Sequence, residues 1–182
     1  MATILGFSGS LRRGSYNTAL LRAAAEITPI EIFSIRDFPL YDADVEAEQG
    51  TPPVVLELRE RLAAAGGLLI ASPEYNGAMS GVAKNAIDWL SRPFKDIPRI
   101  FGNLPVALMG ATNGRGGTIL SQASWLPVLR ALGTHAWFGR QLNVSGAAAL
   151  FDENGLRDEE TRKKLERFVT EFAAYVAAHK RR

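Results

Sequence analysis

The chain has 182 residues, of which 47% are hydrophobic and 22% charged, a composition typical of a folded globular domain and not of a disordered chain. Its formal net charge of +2 is too small for the basic face that a nucleic-acid-binding protein presents. The absence of cysteine excludes disulfides, thiolate catalysis and cysteine metal sites, and because the 2 histidines lie far apart in sequence we expect no metal site.

Strand-like and helix-like segments alternate along the chain. Apolar runs predict strands at residues 3–7, 30–33, 67–71, 105–109 and 136–144, the last with a break at Gly139. Residues 37–42 are predicted to form a turn-rich loop after the second strand. Apolar stripes at helical spacing predict helices at residues 17–26, 53–65, 81–90, 117–132 and from 158 onward, and we expect Pro127 to kink or split the fourth.

This alternation predicts a parallel sheet with helices on both faces. Five strands at these spacings indicate an α/β protein with a flavodoxin-like three-layer sandwich and the strand order 2-1-3-4-5. Ligands of such folds bind beyond the carboxyl ends of the strands, where the strand order reverses. The loops after the first, third and fourth strands are therefore predicted to converge on one site.

Neither a linker nor a repeat divides the chain, so we expect a single domain over residues 1–182. No uninterrupted apolar run reaches the roughly 18 residues that a membrane-spanning helix needs. We therefore predict no membrane association, no signal peptide and a cytoplasmic location.

The first predicted loop and its flanks, residues 6–18, are rich in hydroxyl, amide and guanidinium groups. Backbone N–H groups at the start of the next helix attract an anion, and Arg12 can bind one with two parallel hydrogen bonds. The segment lacks the Gly-Lys-Ser/Thr of a nucleoside-triphosphate loop and the Gly-x-Gly-x-x-Gly of a dinucleotide fingerprint. We interpret it as the phosphate site of a mononucleotide, with an ordinary polar turn as the alternative.

The other two loops suit a flat ring. Tyr75 offers an aromatic face, Asn76 offers amide hydrogen bonds, and Gly77 lets the backbone approach closely, as a flavin would require. The alternative is that Asn76 and Gly77 form only a turn. In the third loop, the glycines of residues 114–117 indicate a tight path against a ring or another backbone segment.

Three motifs in this order resemble the NADPH-dependent FMN reductase family, which includes quinone, chromate and azo-dye reductases. They are Gly9-Ser10-Leu11-Arg12-x-Gly14-Ser15-x-Asn17, Pro73-Glu74-Tyr75-Asn76-Gly77, and Lys84-Asn85-Ala86-Ile87-Asp88-Trp89 followed by Ser91-Arg92-Pro93. In the third motif we interpret Ala86, Ile87 and Trp89 as packing residues and Lys84 and Asp88 as an ion pair at i, i+4 spacing. Trp125, Trp137 and Phe138 are interpreted as core or interface residues.

The resemblance implies a non-covalently bound FMN. The phosphate-binding positions correspond to Ser10, Arg12, Ser15, Asn17 and Thr18, with Tyr16 beside them, and the ring-binding positions to Pro73, Glu74, Tyr75, Asn76, Gly77 and Thr112. The chain departs from many relatives at Thr112-Asn113-Gly114, where they have Ser-Pro-Gly in a loop about one residue longer.

The resemblance also implies ping-pong chemistry at the flavin N5 without a catalytic side chain: NADPH delivers a hydride, and a quinone, flavin, chromate or azo compound then takes two electrons. We hypothesise that the N–H groups of Asn76 and Gly77 stabilise negative charge at N1/O2 of the ring. Arg13, Arg92 and Arg115 are alternative ligands for the NADPH 2′-phosphate. The resemblance further implies that the protein associates as a homodimer or homotetramer. The alternative functions are a flavodoxin-type electron carrier and a flavin-dependent redox sensor.

Overall fold

A computed structural model describes residues 3–179, so the basic ending at residues 180–182 lies outside the described residues. The strands are β1 (Ile4–Ser8), β2 (Ile30–Phe33), β3 (Gly67–Ala71), β4 (Glu74–Tyr75), β5 (Ala78–Met79), β6 (Pro105–Ala111), β7 (His135–Ala136), β8 (Leu142–Val144), β9 (Phe151–Asp152) and β10 (Gly155–Leu156). The α-helices are α1 (Tyr16–Ile27), α2 (Ala43–Gln49), α3 (Pro53–Ala64), α4 (Gly81–Leu90), α5 (Ile97–Ile100), α6 (Ile119–Ala131), α7 (Ala147–Leu150) and α8 (Glu159–Ala178), and a 3-10 helix covers Phe94–Asp96.

The main sheet is parallel and has the order β2-β1-β3-β6, with β7 and β8 both pairing with β6. The predicted strand order is therefore confirmed, and the fifth position is shared by two short strands. The predicted break at Gly139 lies between them. A Cβ atom on Gly139 would lie 2.6 Å from the ring of Trp137, so the backbone passes against that indole instead of pairing with β6.

Two apolar cores cover the two faces of this sheet, because side chains alternate along each strand. Leu68 and Ile70 of β3 pack with α3, α4 and α6, whereas Leu69 and Ala71 pack with α1 and α8. The three-layer α/β sandwich predicted from the sequence is confirmed. The carboxyl ends of β1, β3 and β6 consequently meet at one edge of the sheet.

Helix α4 has the predicted bounds, and it begins at the N-cap Ser80, whose hydroxyl accepts a hydrogen bond from the Ala83 N–H. Helix α6 begins at Ile119, two residues later than predicted, because Gly117 adopts a left-handed φ of 61°. Of the predicted kink or split at Pro127, the split does not occur, since α6 is one helix through this residue. Pro127 lies on the exposed face, where water can bond the carbonyl that loses its helical partner.

Helix α2 and the hairpins β4-β5 and β9-β10 were not predicted from the sequence. Helix α2 starts at Asp42, whose carboxylate accepts hydrogen bonds from the N–H groups of Asp44 and Val45. None of its residues is buried, so it lacks the apolar stripe by which helices are recognised. No helix within residues 3–179 is both long and apolar enough to cross a membrane.

Helix α8 carries the predicted apolar stripe, and its N-cap is Asp158. Hydrogen bonds from Thr161 lower the pKa of Asp158, so its carboxylate stabilises the folded state above the pKa of the unfolded chain. This contribution is lost as the pH falls through the lower, folded value. We expect Asp158→Ala to reduce stability at pH 7 and less so near pH 3, measured by urea unfolding. Asp158→Asn, which keeps a capping oxygen, is the control, and an equal loss for Asp158→Ala at both pH values would contradict this assignment.

Candidate active site

The loops after β1, β3 and β6 enclose a cavity of about 140 Å³ at the carboxyl edge of the sheet. This is the position predicted from the strand order. Its lining combines residues from all three loops, namely Ser10, Arg12, Ser15, Tyr16, Asn17, Pro73, Glu74, Tyr75, Ala111, Thr112 and Asn113. Of the site residues expected from the sequence, Thr18, Asn76 and Gly77 lie outside this lining.

The amino end of α1 offers donors for an anion. Ser15 is the N-cap, and its hydroxyl accepts a hydrogen bond from the Thr18 N–H at 3.2 Å. The N–H groups of Tyr16 and Asn17 have no acceptor within residues 3–179. The Arg12 guanidinium lies 5.9 Å from the centre of the Tyr16 ring and donates to the Gly14 carbonyl at 3.0 Å. Free amides beside a held cation fit a phosphate group.

The side chain of Asn17 has a structural role that the sequence did not indicate. It is 3% exposed. Its amide group donates to the Ala111 carbonyl at 2.9 Å and accepts from the Ala111 N–H at 3.0 Å. This pair of bonds ties the start of α1 to the end of β6. The Thr18 hydroxyl is also used internally, since it donates to the Ser8 hydroxyl at 3.0 Å.

The second loop is a β-hairpin formed by β4 and β5. Its two-residue turn has positive φ at Asn76 (51°) and Gly77 (72°), the pattern of a type I′ turn. Asn76 and Gly77 therefore do form a turn, and this turn leaves their N–H groups without an acceptor in the described part of the chain. Tyr75 is 48% exposed and contributes an aromatic face to the cavity.

Glu74 joins this hairpin to α6. Its carboxylate accepts hydrogen bonds from the N–H groups of Leu120 at 2.9 Å and Ser121 at 3.1 Å. These are donors of the first turn of α6, which its own N-cap Thr118 does not bond. The sequence did not indicate this role, because the residues that Glu74 caps lie 46 and 47 positions later in the chain.

Replacement of Glu74 by alanine is expected to destabilise the fold by about 0.5–2 kcal/mol, the usual cost of losing a helix cap. Because the hairpin loses its tie to α6, flavin affinity should fall as well. Chemical denaturation and an FMN titration measure the two effects. Glu74→Gln keeps one acceptor oxygen, so its stability and its FMN affinity should lie between those of the parent protein and Glu74→Ala. The control Glu48→Ala, at an exposed position, should change neither quantity. Full stability of Glu74→Ala would show that the cap contributes nothing.

The third loop is fixed by one internal hydrogen bond and by bonds to β8 and α7. The Thr112 N–H donates to the Val144 carbonyl at 2.9 Å, and the Thr112 hydroxyl accepts from the Gly114 N–H at 3.3 Å. The Asn113 side chain accepts from the Ala148 N–H at 2.7 Å. A Cβ atom on Gly110 would lie 2.3 Å from the Thr118 hydroxyl, so the chain enters this loop through a position that only glycine fills.

The third motif is structural, as interpreted from the sequence. Ala86, Ile87 and Trp89 are buried, and Lys84 pairs with Asp88 at 2.6 Å. In addition, the Trp89 indole donates to the Pro39 carbonyl at 2.9 Å, which holds the loop after β2.

Arg92, which follows this motif, pairs with Glu46 at 3.0 Å and stacks on Phe94. Of the three arginines considered for the 2′-phosphate, Arg92 is therefore engaged within the protein. Arg13 and Arg115 are exposed and form no ion pair within residues 3–179.

Comparison with known proteins agrees with this geometry. The model of the NADPH-dependent FMN reductase family matches residues 2–149. An NAD(P)H-dependent FMN reductase of Pseudomonas aeruginosa is 43% identical over 178 residues, covering 95% of this chain and 94% of that protein. A 2-hydroxy-1,4-benzoquinone reductase of Burkholderia sp. is 35% identical over 173 residues, which are 92% of each chain. The structure of a flavoenzyme NAD(P)H:(acceptor) oxidoreductase of Paracoccus denitrificans matches with a TM-score of 0.87 and 30% identity over 98% of this chain and 99% of that one.

The fold and the cavity at its carboxyl edge define a flavodoxin-like oxidoreductase. The chain belongs to the NADPH-dependent FMN reductase family, which confirms the resemblance noted in the sequence. Its cofactor is FMN and its electron donor is NAD(P)H.

Proposed function

We propose that this protein reduces its bound FMN with NAD(P)H and passes two electrons to a quinone or a similar small acceptor. The observation that carries the proposal is the cavity itself. At one end it has the free amides of α1 and the Arg12 guanidinium, and beside the other it has the free amides of the Asn76-Gly77 turn. This donor set suits a molecule with a phosphate at one end and a polar ring at the other.

In this proposal the first loop holds the phosphate. The N–H groups of Tyr16 and Asn17 and the Arg12 guanidinium would bind its oxygens, and the hydroxyls of Ser10 and Ser15 line the same space. Asn17 would act through its backbone, because its side chain is bonded to Ala111. Thr18 supports the loop through its bond to Ser8.

The second and third loops hold the ring. Pro73, Glu74, Tyr75 and Thr112 all line the cavity, and Asn76 and Gly77 would donate their N–H groups to the polar edge of the ring. FMN, when bound, supplies hydride acceptance and two-electron donation at N5. The chain then needs no nucleophile, and its task is to orient the ring, exclude water and stabilise negative charge with fixed amides.

A quinone acceptor is supported by the name of the Burkholderia relative, 2-hydroxy-1,4-benzoquinone reductase. Tyr75 provides an exposed aromatic face at this cavity, against which a flat acceptor can stack.

We also propose one domain over residues 1–182 and a cytoplasmic location, where NAD(P)H is available. Cell fractionation tests the location.

We further propose that the protein is a homodimer or homotetramer. Helix α6 presents exposed apolar side chains, Ile119, Leu120 and Leu126, and Phe138 nearby is 69% exposed. A group of large apolar side chains on one surface is typical of an interface between subunits. Trp125, by contrast, is buried, and the half-buried Trp137 packs against Phe168. Size-exclusion chromatography with light scattering distinguishes the two assemblies, and a monomer at micromolar concentration would contradict both.

The function is tested by incubating the protein with excess FMN, removing free flavin and recording the visible spectrum and NADPH oxidation with a quinone. Flavin absorbance with steady turnover is expected. A pure electron carrier would bind flavin but oxidise almost no NADPH, and a redox sensor would turn over slowly. Absence of flavin absorbance would overturn the proposal.

A further inference from the structure

The two histidines of the chain, which the sequence separates widely, meet in the structure. The ring centres of His135 and His179 are 6.1 Å apart, and their planes are nearly perpendicular at 81°. His135 starts β7 and His179 follows α8. Because β7 runs parallel to its neighbours, this pair lies at the amino edge of the sheet, opposite the candidate active site. Separation in sequence therefore does not keep the two rings apart in the fold.

The hydrogen bond of His179 fixes which ring nitrogen carries the proton. Its Nδ1 lies 2.9 Å from the carbonyl oxygen of Tyr175, and a carbonyl can only accept. Nδ1 is therefore the donor, and the Nε2 of the neutral ring keeps its lone pair. Metal-binding histidines use this arrangement, with one ring N–H bonded to a backbone carbonyl and the other nitrogen on the metal. The Tyr175 ring, stacked at 3.7 Å, fixes the plane of the His179 ring.

The space beside the pair is open to solvent. A cavity of about 460 Å³ is lined by both histidines and by Tyr175, Phe138 and Arg130. Metal–nitrogen distances of about 2.0–2.1 Å place two imidazole centres about 5 Å apart around one tetrahedral ion. The ring centres are 6.1 Å apart in the structure. Because His135 is exposed, a rotation of its side chain can move its ring about 1 Å toward His179 and bring the two centres to the distance that a shared ion requires.

We propose that His135 and His179 form a two-imidazole site for a borderline divalent transition metal ion of the class Cu²⁺, Ni²⁺ or Zn²⁺. Imidazole is a preferred ligand of these ions, and Cu²⁺ should bind most tightly. Within residues 3–179 no group of three or more histidine, cysteine, aspartate or glutamate side chains can hold a metal, so water completes the coordination. The positive charge of Arg130 on the same cavity opposes the ion and limits the affinity.

The composition of the chain leaves few competing side-chain ligands for such a metal ion. It has 2 histidines and no cysteine, so in protein without an affinity tag the imidazole sites for such metals are these two. We would titrate the FMN-loaded protein with NiCl₂ and ZnCl₂ by calorimetry and expect one saturable site. His135→Asn and His179→Asn should each weaken binding by at least about 10-fold, since even the loss of an outer-shell partner costs about 10- to 100-fold.

Two further measurements separate this site from adventitious binding. Arg130→Ala should tighten metal binding, because it removes a positive charge without removing a ligand. The Cu²⁺ complex should show two nitrogen ligands by electron paramagnetic resonance, and one in either histidine variant. Circular dichroism checks that each variant is folded. Unchanged affinity in both histidine variants, or no saturable binding by the parent protein, would overturn the proposal.

Discussion

Replacement of Arg12 by alanine is expected to weaken FMN binding by about 1.5–3 kcal/mol, the scale of a hydrogen bond to a charged group. This corresponds to an increase in Kd of about 10- to 150-fold. Arg12 lines the cavity, and its bond to the Gly14 carbonyl and its position over the Tyr16 ring hold it there without neutralising it. The quenching of FMN fluorescence on binding measures the effect.

Arg13 is the matched control. It is the next residue, equally charged and exposed, but it does not line the cavity formed by the three loops. Arg13→Ala should leave FMN affinity unchanged. Arg12→Lys keeps the charge but not the planar fork, so its FMN affinity should lie between those of Arg12→Ala and the parent protein. Equal losses for Arg12→Ala and Arg13→Ala would mean that general charge, and not a positioned guanidinium, attracts the phosphate.

Local sequence signals were sufficient for the elements that follow local rules. Helix α4 has a serine N-cap, an apolar face and a proline soon after its end, and its predicted bounds match those observed. The parallel sheet follows from five apolar runs separated by helical segments, because parallel strands need crossover connections, and the predicted order was that of the flavodoxin-like fold that these spacings indicate. The position of the site then follows from the strand order alone.

Elements whose stability comes from distant contacts were missed or misjudged. Helix α2 has no buried residue, and besides its cap at Asp42 it is held by the ion pair between Glu46 and Arg92, which lies 46 positions away. The break in the fifth strand at Gly139 was predicted, but its cause, the packing of Gly139 against the Trp137 ring, is a contact that apolar periodicity does not reveal. Helix α6 tolerates Pro127 because that residue faces solvent, which the sequence could not specify.

Within the site, too, local sequence signals identified some features, whereas contacts between residues distant in the sequence determined others. The sequence identified the three loops, and the cavity brings most of the expected residues together. It did not identify what the side chains of Asn17 and Glu74 do, since Asn17 bonds to a residue 94 positions away and Glu74 to one 46 positions away. In both cases a polar side chain at the edge of the site satisfies backbone groups of an element that is distant in the sequence. The loops are thereby held in fixed positions before any ligand binds.

The second large effect is expected for Asn17→Ala. The substitution leaves the N–H and carbonyl groups of Ala111 without partners in a buried position. Each such group costs about 1–3 kcal/mol, so we expect a loss of about 3 kcal/mol in the free energy of unfolding. FMN affinity should fall too, because the start of α1 is no longer tied to β6. Urea denaturation of the flavin-free protein isolates the structural part.

Asn113→Ala is the control for this substitution. It removes one exposed asparagine bond, to the Ala148 N–H, from the neighbouring loop, and it should cost less than about 1 kcal/mol because water can replace the lost partner. Asn17→Asp keeps the acceptor but loses the donor, so it should be destabilised as well. If Asn17→Ala bound FMN poorly while its unfolding free energy stayed unchanged, the side chain would be a direct ligand of the flavin phosphate and not a tie between α1 and β6.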